Sequence, residues 1–169
     1  MDDSLNKILS KLLRSRELAA LGTVENGEPF VSMVPYILHG ASAEFLIHVS
    51  GLAAHTRQML AQPRVSIMVT AAERALDEAG SPIQVQALPR VTVQGEAVRL
   101  DPSSKKYAAG KSAYLSRFPA AALMFELADF SLFSIHPRSA RFIAGFGKAH
   151  SLNAETWSGS AGITHTENR

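Results

Sequence analysis

The chain contains no cysteine, so disulfide bridges, thiolate metal sites and cysteine nucleophiles are all excluded. Charge of either sign is scarce: 17 Lys and Arg against 15 Asp and Glu in 169 residues leave a formal net charge of +2. No element gathers Lys and Arg into a stripe, which argues against nucleic acid as a partner. Long apolar runs are also missing, and the N-terminus opens on Asp2 and Asp3, so we predict neither signal peptide nor membrane anchor and a cytoplasmic location.

Hydrophobic residues make up 46% of the chain, enough to build the core of one domain. Apolar residues recur at spacings of three and four between residues 4 and 16, which predicts an amphipathic helix there. Further helical segments are predicted at 55–62 and at 101–126, the latter interrupted at Pro119. Residues typical of strands occupy 17–24, 28–39, 44–49, 64–70, 89–100, 129–136 and 139–144.

Two local signals refine this pattern of strands. Asn26-Gly27 tolerates positive φ and predicts a tight hairpin turn between the first two strands. The alternation of the 89–100 strand changes phase near Gly95, which predicts a β-bulge.

Six or seven strands with few short helices do not give the alternating order of a Rossmann sheet. We therefore predict a mainly β fold, an antiparallel Greek-key barrel of six to seven strands with peripheral helices. Residues 1–152 form the predicted single domain. Residues 153–169 are rich in Ser, Gly, Thr and Asn, which predicts a flexible C-terminal tail.

The segment from Ser50 to Arg57 lies between a strand and the start of a helix. Free backbone N–H groups and the positive end of the helix dipole favour a phosphate at such a place. Ser50 and Thr56 add hydroxyl donors, and a protonated His55 with Arg57 adds positive charge. The alternative is an ordinary capped helix with a solvated arginine.

The strand around Pro35 is a second candidate, because a strand whose ladder is incomplete can offer backbone groups to the edge of a flat heterocycle. A simple core strand is the alternative. Residues 145–150, Gly-Phe-Gly-Lys-Ala-His, resemble a dinucleotide loop only superficially, since the sixth position is His150 and no βαβ unit surrounds it. A turn with close backbone packing explains them better.

None of the six histidines, His39, His48, His55, His136, His150 and His165, has the spacing of a metal site. His165 lies in the predicted tail, from which a ligand could be carried to a site. A Gly-x-Ser-x-Gly elbow is also missing, so a serine hydrolase has no support.

The order of several segments resembles a known family: LAALGTVENGEPFVSMVPY, FLIHVSGLAAHTRQMLAQPRVSIMV, RVTVQGEAVRL and DFSLFSIHPRSARFIAGFGKA. Residues 8–152 resemble the pyridoxamine 5′-phosphate oxidase-like split barrels that bind flavin mononucleotide (FMN). The segment RFIAGFGKAHSL is most similar to their heme-utilisation branch.

This resemblance implies a homodimer with two FMN sites at its interface. The strand that would touch the flavin ring corresponds to Ser32, Met33, Val34 and Pro35, and the phosphate segment to Ser50, His55, Thr56 and Arg57. The partner subunit would add Arg141 and Phe142. Ala54-His55 stands where pyridoxamine phosphate oxidases carry adjacent basic residues, so synthesis of pyridoxal phosphate is not expected.

The first hypothesis is therefore an FMN-dependent oxidoreductase acting on a small molecule, in which the flavin performs the redox chemistry and no catalytic residue is assigned. The alternative is a heme-binding or heme-degrading protein on the same barrel, with His165 as the candidate ligand to iron. A non-catalytic flavin or heme carrier is the third possibility.

Overall fold

The computed structural model describes residues 1–77 and 79–161. Its α-helices are α1 (Asp3–Ser15), α2 (Ala54–Ala61), α3 (Lys105–Arg117) and α4 (Ala154–Ala161), and 3₁₀ segments cover Val85–Ala87 and Pro119–Glu126. Its strands are β1 (Leu18–Glu25), β2 (Glu28–Pro35), β3 (Ile37–His39), β4 (Glu44–Ser50), β5 (Arg64–Thr70), β6 (Arg90–Arg99), β7 (Phe130–Gly145) and β8 (Lys148–Asn153).

The strands form one antiparallel sheet in the order β2-β1-β5-β6-β7-β4-β3, with β8 also paired to β7. The 16-residue β7 organises this sheet: β6 pairs along one edge, while β4 and then β8 pair along the other. This confirms the predicted mainly β, antiparallel architecture with peripheral helices. None of the helices in the described residues is both long and apolar enough to cross a membrane.

The described residues hold eight strands, compared with the six or seven expected from the sequence. The predicted 28–39 strand divides at Tyr36, because β2 before it pairs with β1 and β3 after it pairs with β4. The two strands predicted at 129–136 and 139–144 are one strand, β7. The Gly147 turn, at φ +73°, then returns the chain as β8, which the sequence analysis did not predict.

Two predicted irregularities are confirmed. Asn26 and Gly27 both have positive φ, 53° and 85°, and connect β1 to β2 as a tight hairpin. The register between β6 and β7 shifts at Gln94/Gly95. A Cβ on Gly95 would lie 2.6 Å from the His136 carbonyl oxygen, so the backbones approach too closely there for any other residue.

Two apolar clusters cover opposite faces of β4. Phe45 and Ile47 face the main barrel core, which α1 closes with Leu9, Leu12 and Leu13. Leu46 faces a second cluster beneath α3 and the Pro119–Glu126 segment. Because both faces are covered, β4 is buried along most of its length, and its end is held in a fixed position beside α2.

The C-terminal part of the described chain corrects the predicted domain boundary at residue 152. Residues Ala154–Ala161 form α4, and the Thr156 N–H donates to Asn153 Oδ1 at its start, 2.8 Å away. Trp157 is fully buried, stacks on Phe45 with ring centroids 5.7 Å apart, and donates from Nε1 to the Ala43 carbonyl oxygen. One tryptophan buries about 150–250 Å², which outweighs the polar composition around it. The predicted flexible tail can therefore begin only after residue 161, and residues 162–169 lie outside the described part.

Candidate functional site

The structure brings the two predicted cofactor segments, β2 and α2, next to each other at one opening of the barrel. β2 stands at the end of the strand order and pairs only with β1, and α2 packs against both strands. Ser32 lies opposite the buried Leu21, so it faces inward, whereas Met33 and Pro35 face outward. Ser32 Oγ and His55 Nε2 are buried atoms without a hydrogen-bond partner in the described structure.

The hydroxyl groups predicted to bind phosphate are already engaged within the chain. Ser50 Oγ donates to Asp129 Oδ2 at 2.7 Å, and Thr56 Oγ1 donates to the Ser50 carbonyl oxygen at 2.6 Å. The Asp129 carboxylate also places negative charge beside the start of α2, where a phosphate would have to lie. These contacts satisfy both hydroxyl groups within the chain, whereas His55 Nε2 has no partner in the described structure.

The positive charge expected in this segment is also weaker than predicted. Burial lowers the pKa of His55, which disfavours the protonated form expected beside a phosphate. Arg57 is exposed on α2. The binding roles of Ser50, His55, Thr56 and Arg57 for an FMN phosphate therefore stay predictions.

The two residues assigned to the partner subunit's site behave differently. Arg141 is exposed on β7, and its Nη1 donates to Ser151 Oγ at 2.8 Å. Phe142 is fully buried inside the barrel core. Its side chain cannot reach a cofactor on another subunit, so this assignment is corrected to a core position, which follows from the inward-facing side of β7.

A groove of about 630 Å³ crosses the outer face of the sheet and was not foreseen from the sequence. Its rows follow the strand register: Val31, Gly22, Ser66, Gln94 and Ser139 are successive neighbours across five strands. Gly22 and Ser66 leave the floor low because their side chains are absent or short. The groove is lined by Gly22, Thr23, Val24, Pro29, Phe30, Val31, Arg64, Val65, Ser66, Gln94, Gly95, Arg138 and Ser139.

The groove is chemically two-sided. β1 and β2 contribute an apolar side that includes the exposed Val24 and Val31, whereas β5 and β7 contribute the exposed Arg64 and Arg138. Neither arginine forms an ion pair among residues 1–77 and 79–161. Each follows a proline in the sequence, Pro63 and Pro137, but no local pattern brings them together.

Two of the described histidines, His48 and His136, make contacts within the fold, and no metal cluster forms among the described residues. His136 Nδ1 lies 3.1 Å from Glu44 Oε1, and the described residues hold no group of three or more potential metal ligands. His48 is buried between aromatic rings, stacked on Phe125 with centroids 3.6 Å apart. Burial, with a smaller contribution from the Lys111 charge, lowers the pKa of His48 to about 4. His165 lies outside the described residues.

This buried imidazole predicts a pH-dependent stability. The pKa of His48 is about 4 in the folded chain and about 6.5 when unfolded, so protonation favours unfolding. Its contribution is fully present above pH 6.5 and is lost as the pH falls from 6.5 towards 4. We expect the free energy of unfolding in urea to fall by about 2–3 kcal/mol from this group between pH 7 and 4.5.

The control is His48→Phe, which keeps a ring against Phe125 but cannot be protonated. His55, whose pKa is also lowered, remains in both proteins, so the difference between them isolates His48. An equal loss of stability in wild type and variant over this pH range would contradict the assignment.

Two curated relatives are described as heme oxygenases. The chain is 34% identical over 123 residues to the non-canonical heme oxygenase HOZ of Arabidopsis thaliana, described as chloroplastic, covering 73% of this chain and 34% of that protein. It is 25% identical over 149 residues to heme oxygenase HutZ of Vibrio cholerae, covering 87% of this chain and 80% of HutZ. The chain thus spans about a third of the plant protein's length.

Solved structures share the architecture. A heme-binding protein from Mycobacterium smegmatis superposes with a TM-score of 0.79 at 26% identity, over 94% of this chain and 62% of that one. A protein of the pyridoxinephosphate oxidase family from Clostridium acetobutylicum, related to general stress protein 26, superposes with a TM-score of 0.67 at 12% identity, over 93% of this chain and 99% of that one. The second likeness shows the fold alone. The Clostridium structure confirms the split-barrel fold. The Mycobacterium structure supports the resemblance to the heme-utilisation branch.

The family model described as "CREG, beta-barrel" matches residues 7–159, which include every strand and end within α4. The match therefore extends past the 152 boundary, in agreement with the docked Trp157. The chain belongs to the CREG β-barrel family.

Proposed function

We propose that this protein binds heme, and that the groove on the outer sheet face is where it does so. The observation that carries the proposal is the pairing of an apolar side with two unpaired arginines in one cavity of about 630 Å³. Heme is a flat apolar macrocycle with two carboxylate groups on one edge. The relatives of this chain, HOZ and HutZ, are described as heme oxygenases and support the same ligand.

The groove residues divide naturally between the two parts of heme. Pro29 and Val31, which share the outward face of β2, would cover the macrocycle, which removes apolar surface of both partners from water. Arg64 and Arg138 would each donate to one carboxylate, and arginine suits this role because its planar guanidinium binds carboxylates with two parallel hydrogen bonds. Bound heme supplies an iron centre at which oxygen chemistry can occur.

Among the described residues, the groove lining contains no histidine, tyrosine or methionine, so a ligand to the iron of a bound heme would come from elsewhere. We propose that His165 provides this ligand, either within the same chain or from a second subunit. The groove residues then hold and orient the ring, whereas the histidine decides the electronic state of the iron.

A heme titration monitored by visible absorption tests this proposal. We expect the wild-type protein to bind heme stoichiometrically with a ligand-shifted Soret band, and His165→Ala to bind with a changed Soret spectrum. His150→Ala, which removes a partly exposed histidine of β8, is the matched control and should leave the spectrum unchanged. Absence of stoichiometric heme binding would refute the function, whereas an unchanged spectrum in His165→Ala would refute only the ligand.

The same complex distinguishes storage from degradation. Addition of a reductant in air should bleach the Soret band if the protein degrades heme, and should leave heme bound if the protein carries it. We propose degradation, in line with the description of both relatives as oxygenases.

We propose further that the protein is a homodimer through the outer sheet face. Leu18, Val31, Met33 and Met68 are exposed apolar side chains on β1, β2 and β5, and Met33, Ala20 and Met68 are direct neighbours across the three strands. A contiguous exposed apolar patch on a sheet marks an interaction surface. The patch adjoins the groove at Val31, so a second copy would cover the heme site.

FMN remains the second candidate, favoured by the free edge of β2. Because β2 pairs only with β1 in the described part of the chain, its other edge would offer backbone groups to a flavin ring, and Ser32 Oγ lacks a partner there. The engaged hydroxyls of Ser50 and Thr56 count against it. Titration with FMN in place of heme tests this candidate, and no flavin binding at micromolar concentration would remove it.

A further inference from the structure

A second cavity, of about 440 Å³, lies where α1, β3, α3 and α4 meet. It shares no lining residue with the groove on the sheet face. It is lined by Ser10, Leu13, Arg14, Tyr36, Ile37, Leu38, Ala113, Ser116, Arg117 and Ala161.

The lining of this cavity is apolar except where α1 and α3 meet. Leu13, Ile37, Leu38, Ala113 and Ala161 contribute only hydrocarbon, and Leu13, Ile37 and Ala161 are buried. Tyr36 is buried as well, with its hydroxyl donating to the Leu13 carbonyl oxygen at 2.8 Å. Such a lining accepts an aliphatic chain, and it offers few partners to a sugar or a base.

Arginine side chains crowd the polar end of the cavity. Arg117 Nη2 donates to the carbonyl oxygens of Arg14 and Arg16, at 3.0 and 3.2 Å, so its guanidinium is held across the end of α1. The Arg14 side chain is exposed, and Arg16 Nε is a buried donor without a partner in the described structure. None of the three arginines forms an ion pair within residues 1–77 and 79–161.

The hydroxyl of Tyr36 reports the same positive charge. Burial raises the pKa of Tyr36, while the charges of Arg117 and Arg16 act in the opposite direction. The carbonyl groups at the end of α1 already accept from Tyr36 and Arg117. A carbonyl oxygen carries only a partial negative charge, so these groups balance the positive charge of the arginines only in part.

We propose that this cavity binds an aliphatic monocarboxylate, with its carboxylate at Arg14 and Arg117 and its tail against Leu13, Leu38 and Ala113. The cavity has its cations at one end and a hydrocarbon lining elsewhere. A monocarboxylate matches this arrangement because it has one anionic head and one apolar tail. The proposal does not depend on heme binding, because the two cavities are separate. The competing explanation is that Arg117 only caps α1, in which case the cavity has no ligand.

Dodecanoate, titrated at micromolar concentration, is the probe. Trp157 is the chain's one tryptophan and lies on α4 one turn before Ala161, so its fluorescence reports occupancy, and calorimetry provides an independent measurement. We expect saturable binding to wild type. Acetate, which lacks the tail, and 1-dodecanol, which lacks the charge, should each bind at least about tenfold more weakly.

Two variants test the two parts of the site. Arg14→Ala removes a cation whose side chain makes no hydrogen bond in the described structure, and should weaken dodecanoate about tenfold. Ala113→Leu fills the cavity without changing charge or helix propensity and should weaken it at least as much. Arg138→Ala, in the other cavity, is the matched control: it should alter heme binding and leave dodecanoate binding unchanged.

Several results would overturn the proposal. One is that wild type fails to bind dodecanoate, and another is that it binds 1-dodecanol as tightly as dodecanoate. A third is that Arg14→Ala and Ala113→Leu both bind dodecanoate with the affinity of the wild type. If heme fails to bind but dodecanoate binds with this pattern, the proposed function is wrong and this site stands. If heme binds and dodecanoate does not, the proposed function stands and the carboxylate site is wrong.

Discussion

Replacing Arg64 and Arg138 together by alanine is expected to weaken heme binding about a hundredfold. A hydrogen bond to a charged group contributes about 1.5–3 kcal/mol, and because the groove is open to solvent we take the lower value for each arginine. Two such bonds give about 3 kcal/mol, which corresponds to the stated factor. The measurement is the dissociation constant from a Soret titration of the variant and the wild type.

The control must remove two exposed positive charges elsewhere on the surface. Arg74→Ala with Arg99→Ala does so, since both side chains are exposed and neither lines the groove. The control should retain wild-type affinity at physiological ionic strength, where distant charges are screened. If both double variants lose affinity equally, the effect is one of net charge, and the groove is not the heme site.

Placing two carboxylates on the outer sheet face of each subunit is expected to abolish the proposed dimer. Met33→Asp with Met68→Asp would bring four carboxylates into a self-complementary interface, because each residue recurs in both subunits of a two-fold dimer. Both positions are exposed in the isolated subunit, so the subunit itself should remain folded. We expect a wild-type dimer and a variant monomer by light scattering coupled to size-exclusion chromatography.

Leu123→Asp is the control for the cost of removing exposed apolar surface. Leu123 is 81% exposed on the Pro119–Glu126 segment, away from β1, β2 and β5. It should leave the dimer intact, and thermal unfolding should show both variants folded. A wild-type monomer, or a dimer that survives both methionine substitutions, would place the interface elsewhere or remove it.

These two experiments are linked by Val31, which belongs to both the apolar patch and the groove. If a second copy covers the heme, the monomeric variant should also bind heme less tightly. If it binds with unchanged affinity, the groove functions within one subunit and the interface serves another purpose. Either outcome shows whether heme affinity depends on dimer formation.

Local sequence signals determined much of the sheet. The Asn26-Gly27 turn and the bulge at Gly95 were both predictable because each depends on the backbone preferences of one or two residues. Strand β5 and helix α2 were predicted within a residue or two, since hydrophobic alternation and a flanking proline are local patterns. The resemblance to heme-utilisation split barrels rested on the order of such segments.

The candidate site was harder to predict from the sequence, because contacts between residues far apart in the chain decide it. Ser50 and Thr56 were plausible phosphate ligands until Asp129, 79 residues away from Ser50, was placed beside them to accept the serine hydroxyl. Phe142 followed Arg141 in the sequence, but alternation along β7 sends one side chain to solvent and the next into the core. Composition alone could not reveal that Trp157 would anchor α4 against Phe45.

By itself, then, the sequence determined a cysteine-free, antiparallel barrel and the positions of its turns, because those properties follow from composition and from neighbours along the chain. Only the tertiary structure shows which hydroxyls are engaged, that Ala154–Ala161 pack onto the domain, and that Arg64, Arg138 and Val31 line one groove. Strand register brings residues from five strands into that groove, and register is fixed by packing over the whole sheet, which no local segment encodes.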